Sequence, residues 1–515
     1  MPTPCLVGVH LNSKLRVCLI LVTMLVSSTI VNSTFHSVPS LANSTFAGSR
    51  VPVSSTTVNS TAPRGPNLVN PTIVSSTAAK APINDSTVAT TPTHVDSTIA
   101  DETLSGPSIV PATIPHSETK LYKLSTERAS FYANGLYWVF WENTGTCEGQ
   151  NGCLYYATSP DGLTWNTAVN VGVHVNREDF SVITNSTHAF YARYNETSFF
   201  STNCNRALLF SVGMLTDTVA WQPEQVVRAG NATASWLNPV LRLDSNNQAW
   251  IGYLDYSNTG CGGNGIEVPA VVHSKGTNYG SWTGYTYLST SLSRNWVVDL
   301  ASLPGGAMYA IYSIYDNPIS YLRGRLFNST WSPEENVSPV SDLIDNDAFV
   351  FSAGYTLFAV WLDTNTRTLS FNSRVFSGPS LGTWNATVRI ATSECCTSKS
   401  GYPIPWTATY DARTSKIYMF WYNYTLNRID LYSGLSGTWT GPILGWSTVS
   451  ADSLTSLTTF QYSVSTGTNN TIGIAFIDSS STSTPVLKYE VDKITPPPTT
   501  SGGAGGGGGG HVSFL

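Results

Sequence analysis

The residues with chemical reach in this sequence recur in short clusters. Arg128 follows Glu127, Arg177 leads into Glu178 and Asp179, and Asp345 and Asp347 flank Asn346. Tryptophans stand in similar company. Trp236 precedes Asn238 by two residues, Trp296 follows Arg294 by two, and Trp406 follows Pro405. Two carboxylates across a gap can serve as acid and base on a glycosidic bond. Glu178 or Asp179 set against Asp345 or Asp347 is therefore a candidate catalytic pair. The flat faces of Trp236, Trp296 and Trp406 can stack on sugar rings, and Arg128, Arg177, Arg294 and Asn238 can donate to hydroxyl or acidic groups. These seven are candidate ligand contacts. The competing reading is that they are polar residues packed where strands begin. Thiolate pairs at zinc spacing with histidines are missing, so neither a metal nor another cofactor is expected.

Composition bounds what these groups can serve. Of 515 residues only 11% are charged, and the net charge is −6. A typical soluble domain carries about 25% charged residues. No Lys/Arg cluster stands ready to neutralise a phosphate backbone, which argues against nucleic-acid partners. Aromatic residues make up 11%, with 15 Trp and 25 Tyr, and so much aromatic surface calls for a large core.

The ends of the chain are built differently. Lys14 and Arg16 precede an apolar stretch from Val17 to Val26 and then Ser27-Ser28-Thr29. That order reads as a secretory signal over 1–32; an uncleaved anchor is the alternative, although the run is shorter than the ~20 residues that span a bilayer. Residues 33–118 are rich in Ser, Thr, Pro, Val and Ala and nearly free of aromatics. Such a segment cannot offset its ordering entropy, and is expected to be a disordered stalk, glycosylated or a plain linker. Residues 495–515 hold three prolines and then six consecutive glycines, and are expected to form a flexible tail. Twelve Asn-x-Ser/Thr sequons, eight of them at Asn185, Asn195, Asn231, Asn328, Asn336, Asn385, Asn423 and Asn469, suggest an N-glycosylated, secreted or cell-surface protein.

Between 119 and 494 a unit repeats. Apolar runs closed by a polar residue end at Glu142, Asn195, Asp255, Asp316, Asp363, Asn423 and Asp478. In phase with the first six come Trp165, Trp221, Trp282, Trp331, Trp384 and Trp439, most of them beside Gly, Ser or Thr. Each unit reads as four short strands between turn clusters, with no helical period. Seven such units predict an all-β fold, a seven-bladed β-propeller of four-stranded blades. Two stacked β-sandwiches are the competing arrangement. The last unit lacks a fourth strand, and Lys120-Leu-Tyr-Lys-Leu124 is expected to supply it and close the ring.

The turn Ser159-Pro-Asp161-Gly162-Leu-Thr164-Trp165 resembles the Asp-box, or BNR repeat, of the sialidase-like β-propeller superfamily. The resemblance implies that this turn lies opposite the family's ligand face and that Asp161 bonds its own turn. The family's arginine-bearing motif near the first blade is absent, and seven units stand where its enzymes usually have six. The resemblance therefore implies the architecture more than sialidase chemistry.

In a propeller the starts of the inner strands, the loops joining second to third strands and the connections between blades share one end. All eleven candidate residues fall there. So do Cys147, Cys153, Cys204, Cys261, Cys395 and Cys396. Cys147–Cys153 is expected as a local disulfide; Cys204–Cys261 and Cys395–Cys396 are among the fifteen pairings that six cysteines allow. Asp255 and Asp363 recur with the repeat and are expected to be structural. Glycans on Asn195 and Asn423 would crowd this end. The function expected is a secreted or cell-surface recognition module, acting as a monomer with no membrane span in the mature domain, whose partner is a glycan or a cell-surface protein. The alternatives are an exo-acting glycoside hydrolase using the rim carboxylates and a purely structural envelope component.

Overall fold

The computed structural model describes residues 112–114, 119–120 and most of 129–493; the principal gaps are 176–179, 196–205, 231–233, 258–265, 291–296, 392–405, 424–427, 449–453, 460–463 and 479–485. The described residues form β-strands and one 3-10 turn at Pro304–Gly306, with no α-helix among them. None of their helices is long and apolar enough to cross a membrane.

The strands assemble into seven antiparallel sheets, six built from consecutive stretches of chain and the last completed by a strand from before the first. Sheet two is representative: Phe180–Thr184 pairs with His188–Tyr194, that with Leu208–Leu215, and that with Val219–Trp221. All seven apolar runs seen in the sequence are second strands, such as Thr356–Asp363 in sheet five. They are buried on both faces, because each sheet is covered by its neighbours on either side. Continuous apolar strands of this kind need two covered faces.

The first strands close a circuit. Ser130–Ala133 touches Phe180–Thr184, which touches Ala234–Leu243, and the series runs on through Val298–Ser302, Ile344–Ala353, Trp406–Asp411 and Leu454–Thr459 back to Ser130–Ala133. That ring is a propeller and not a pair of stacked sandwiches. Polar bonds tie part of the hub. Asp299 of sheet four accepts from the Arg242 guanidinium of sheet three and from the Val350 amide of sheet five, the latter at 3.0 Å.

Closure differs from the sequence expectation. The strand added to Val486–Lys493 is Ala112–Thr113, in the register Ala112↔Tyr489 and Thr113↔Lys488. Lys120 instead pairs with Glu142 inside sheet one, and residues 121–124 lie outside the described ones. The physical reason is apolar. Ile114 follows the closing strand and is fully buried in the cluster that holds Phe131, Trp138 and Ala475, so closure joins the first and last sheets through a shared core.

The phased tryptophans are wedges between sheets. Trp221 of sheet two lies 6.5 Å from Phe140 of sheet one, ring to ring, and Trp282 of sheet three lies 4.9 Å from Phe210 of sheet two. Trp331 meets Trp250 at 6.3 Å, Trp384 meets Tyr309 at 5.9 Å, and Trp439 meets Phe371 at 5.2 Å. Each therefore reaches back onto the preceding sheet. Glycine makes room beneath two of them: a Cβ on Gly213 would stand 2.9 Å from the Trp221 ring, and one on Gly434 would stand 2.5 Å from that of Trp439.

Candidate functional site

Each blade has two unlike ends. In sheet one the Cys147–Cys153 disulfide closes the hairpin from second to third strand. Trp165 follows the other end of that third strand, Gln150–Ser159. Ten residues of strand span about 30 Å, so the loop end and the tryptophan-turn end are well separated. At the turn end Asp161 is engaged locally. Its Oδ1 accepts from the amides of Leu163 at 2.8 Å and Thr164 at 2.7 Å and from the Ser159 hydroxyl at 3.0 Å. Burial works to raise its pKa, but these donors outweigh it and hold the carboxyl below the usual range.

Three clusters of charged groups lie toward the loop end. Around Arg193, at the boundary of sheets one and two, a fully buried guanidinium binds Glu224 through Nε at 2.6 Å, Glu148 through Nη2 at 3.0 Å and the His174 carbonyl through Nη1 at 2.7 Å. Glu148 can reach it because Glu148 and Gly149 form a two-residue hairpin turn, with φ of 53° and 78°. The Tyr191 hydroxyl donates to Glu224 at 2.9 Å. Desolvation opposes the charge on Arg193, but Glu224 and Glu148 more than restore it, and its pKa is raised.

A second cluster joins sheets two and three and reaches solvent. Arg228, ending the outermost strand Gln225–Arg228, donates to the Tyr253 hydroxyl at 2.5 Å and pairs with Asp255 at 3.2 Å. Its guanidinium lies 3.7 Å from the centre of the Tyr285 ring, within cation–π range. The Tyr287 hydroxyl donates to Asp255 Oδ2 at 2.7 Å. Tyr285, just before the strand Thr286–Tyr287, and Tyr287 form an edge-on pair with centroids 5.1 Å apart, and remain 48% and 39% exposed. Asp255 is fully buried, and its Oδ1 has no hydrogen-bond partner among the described residues. Burial raises its pKa against the pull of Tyr287 and Arg228. Burial and then the bond to Asp255 push Tyr287 up to about 12.

A third cluster lies on sheet five. Arg389 approaches Asp342 at 3.9 Å and Asp363 at 3.8 Å and donates to the Thr366 hydroxyl at 2.9 Å. Trp361 Nε1 donates to Asp342 at 3.1 Å. Burial, with a smaller push from Asp363, raises the Asp342 pKa despite that bond.

The candidates read from the sequence fare unequally. Arg128, Arg177, Glu178, Asp179, Arg294 and Trp296 lie outside the described residues. So do Cys204, Cys261, Cys395 and Cys396. The Trp236 backbone lies directly opposite Asp255 in strand register, which brings it to the second cluster. Asn238 is half-buried in the bulge between Leu237 and Val240, with φ of 52°. Asp345 and Asp347 lie in the bulged stretch between Ile344, opposite Asp363, and Ala348, opposite Trp361. The structure thus sets them beside the third cluster. Trp406 is corrected. It is 1% exposed and packs edge-on to Phe349 at 4.8 Å, so its ring fills core and offers no stacking face. The Asn423 side chain is buried and donates to Asp430. The Arg228–Tyr285–Tyr287 group was missed, since Tyr285-Thr-Tyr287 alternates as any edge strand does. Among the described residues no group of three or more His, Cys, Asp or Glu side chains could hold a metal ion.

The ring of sheets defines the class as an all-β propeller. No family model matches the sequence, and no curated protein matches it. The structure is similar to Trypanosoma rangeli sialidase in complex with the inhibitor DANA, at 10% identity and a TM-score of 0.43, over 75% of this chain and 60% of that one. It is similar to the endosialidase of phage phi92, at 11% identity and a TM-score of 0.41, over 78% and 72%. The α-L-arabinanase of Penicillium chrysogenum complexed with arabinobiose is another such structure, at 14% identity and a TM-score of 0.37, over 63% and 98%. The fold itself rests on the sheet topology.

Proposed function

We propose that this protein is a secreted or cell-surface propeller that recognises a glycan at the loop end of sheets two and three. The observation that carries the reading is the exposed Tyr285–Tyr287 pair braced by Arg228 and Asp255. Aromatic faces pack against the C–H surface of a sugar ring while fixed polar groups bond its hydroxyls. The Arg228 charge is balanced by Asp255, which favours a neutral sugar over an acidic one. Arginines also accompany the other described loop-end clusters, at Glu148, Glu224, Asp342 and Asp363, which supports binding over acid–base turnover.

One observation favours the hydrolase reading instead. Asp342 sits beside Asp363 with a raised pKa, as a proton-donating carboxyl would, and Asp345 and Asp347 lie in the same sheet. A glycan array separates the two when paired with a panel of chromogenic glycosides. Recognition predicts a retained neutral glycan and no turnover. Turnover that disappears in Asp342→Asn would establish the hydrolase reading.

A further inference from the structure

We propose that N-linked glycans occupy Asn185, Asn328, Asn336 and Asn385, and that Asn423 stays unmodified in the folded protein. All five head Asn-x-Ser/Thr sequons. The fold separates them by exposure and by end.

Asn185 lies in the turn between the first and second strands of sheet two, at the tryptophan-turn end. Its Oδ1 accepts from the Thr187 hydroxyl at 3.1 Å and from the His188 amide at 2.9 Å. These bonds engage the oxygen and leave the nitrogen, the atom that receives the sugar, outside them. Asn328 is exposed where the third strand of sheet four turns into Thr330–Trp331. Asn385 is exposed just after the corresponding turn of sheet five. Its Nδ2 donates to the Ser373 hydroxyl at 3.0 Å. A glycosylated amide keeps one N–H, so that bond survives modification. Asn336 is exposed on the outermost strand of sheet four.

Asn423 is the contrast. It is 4% exposed, and its Nδ2 donates to Asp430, itself buried, at 2.8 Å. A branched oligosaccharide cannot be buried there without displacing the strands around it. Asn195 adjoins the undescribed residues 196–205 and receives no assignment.

The chemistry is glycosyl transfer from a lipid-linked oligosaccharide diphosphate. The Nδ2–C1 bond forms as the C1–O bond to diphosphate breaks. The lipid diphosphate leaves, the transferase takes one Nδ2 proton, and nothing is oxidised or reduced. Three of the four proposed sites fall at the turn end. The glycans would cover the side of the propeller away from the loop-end clusters, whatever those clusters bind.

The full chain, expressed in a secreting eukaryotic cell, is treated with a glycan-releasing amidase in heavy-oxygen water, and each site is read by peptide mass spectrometry. Heavy-oxygen aspartate is expected at 185, 328, 336 and 385 and unlabelled asparagine at 423. Thr187→Ala, Thr330→Ala and Thr387→Ala should each remove one glycan's mass on a gel. Thr425→Ala destroys the Asn423 sequon while keeping its side chain, and should remove none. Occupancy at Asn423 in secreted, folded protein overturns the proposal. So do bare Asn185, Asn328 and Asn385, or a chain held in the cell without glycans.

Discussion

The two ends of the blades are made by different rules. At the turn end the same device recurs, an indole pressed onto the sheet before it, as with Trp221 on Phe140 and Trp439 on Phe371. At the loop end no two described clusters are alike. One is a buried arginine shared by two glutamates, another a tyrosine pair over Arg228, and the third an arginine between two aspartates and two threonines. Repetition marks what every blade needs in order to pack. Its absence marks what a ring needs only once. A ligand site falls in the second category.

That contrast can be broken first at Arg193. It is wholly buried, and its removal would strand the mostly buried Glu224 at a sheet boundary, while Glu148, 40% exposed, regains water. Breaking such a pair costs roughly 3–5 kcal/mol. Arg193→Ala is expected to lower the midpoint of denaturant unfolding by that amount, and a loss under 1 kcal/mol would show that the cluster is not a brace. Next is Trp221→Ala, which leaves a void over Gly213 and against Phe140. Loss of a packed tryptophan costs about 3 kcal/mol. Chemical denaturation should show that loss while glycan binding to the folded protein is unchanged.

Tyr285→Ala and Tyr287→Ala sharpen the comparison from the other side. Tyr285 is exposed and thermal stability should barely move on its loss, whereas Tyr287→Ala also removes a donor from buried Asp255 and should cost about 1–2 kcal/mol. In either variant retention of an array sugar should fall about tenfold, equivalent to about 1.4 kcal/mol. Unchanged retention in the double variant would remove this cluster as the site. The smallest effect is expected at Asp161. Its folded pKa is lowered, so its stabilisation is fully present above the ordinary value of 3.8 and is lost as pH falls through the lower folded value. Asp161→Ala should cost about 1 kcal/mol at pH 7, and the difference from the parent should vanish in acid. A difference independent of pH would place the effect outside the carboxylate.

What the sequence revealed follows the same division. The second strands and the tryptophan turns were legible because period and phase are properties of the chain itself. The Cys147–Cys153 hairpin was legible because its partners are close in sequence. The Arg228–Asp255–Tyr287 group was not, because it joins an outermost strand of one sheet to the second and fourth strands of the next, and register across sheets leaves no mark in a single chain. Asp255 looked structural because its position recurs. The fold makes it both, a buried strand end and the support for an exposed tyrosine. Trp406 misled for a related reason. A tryptophan beginning an inner strand looks like rim, yet Phe349 of the neighbouring sheet covers it. The closing strand was misplaced because Lys120-Leu-Tyr has strand character, whereas the buried contact that decides closure belongs to Ile114.

Hydrogen–deuterium exchange with and without a sugar retained from the array tests the loop-end site most directly. Slowed exchange should concentrate in Gln225–Arg228, the Asp255 end of Ala249–Ser257 and Thr286–Tyr287, with the tryptophan turns unaffected. Protection confined to the turns around Trp165, Trp221 and Trp331 would put the ligand at the opposite end of the blades and contradict the account.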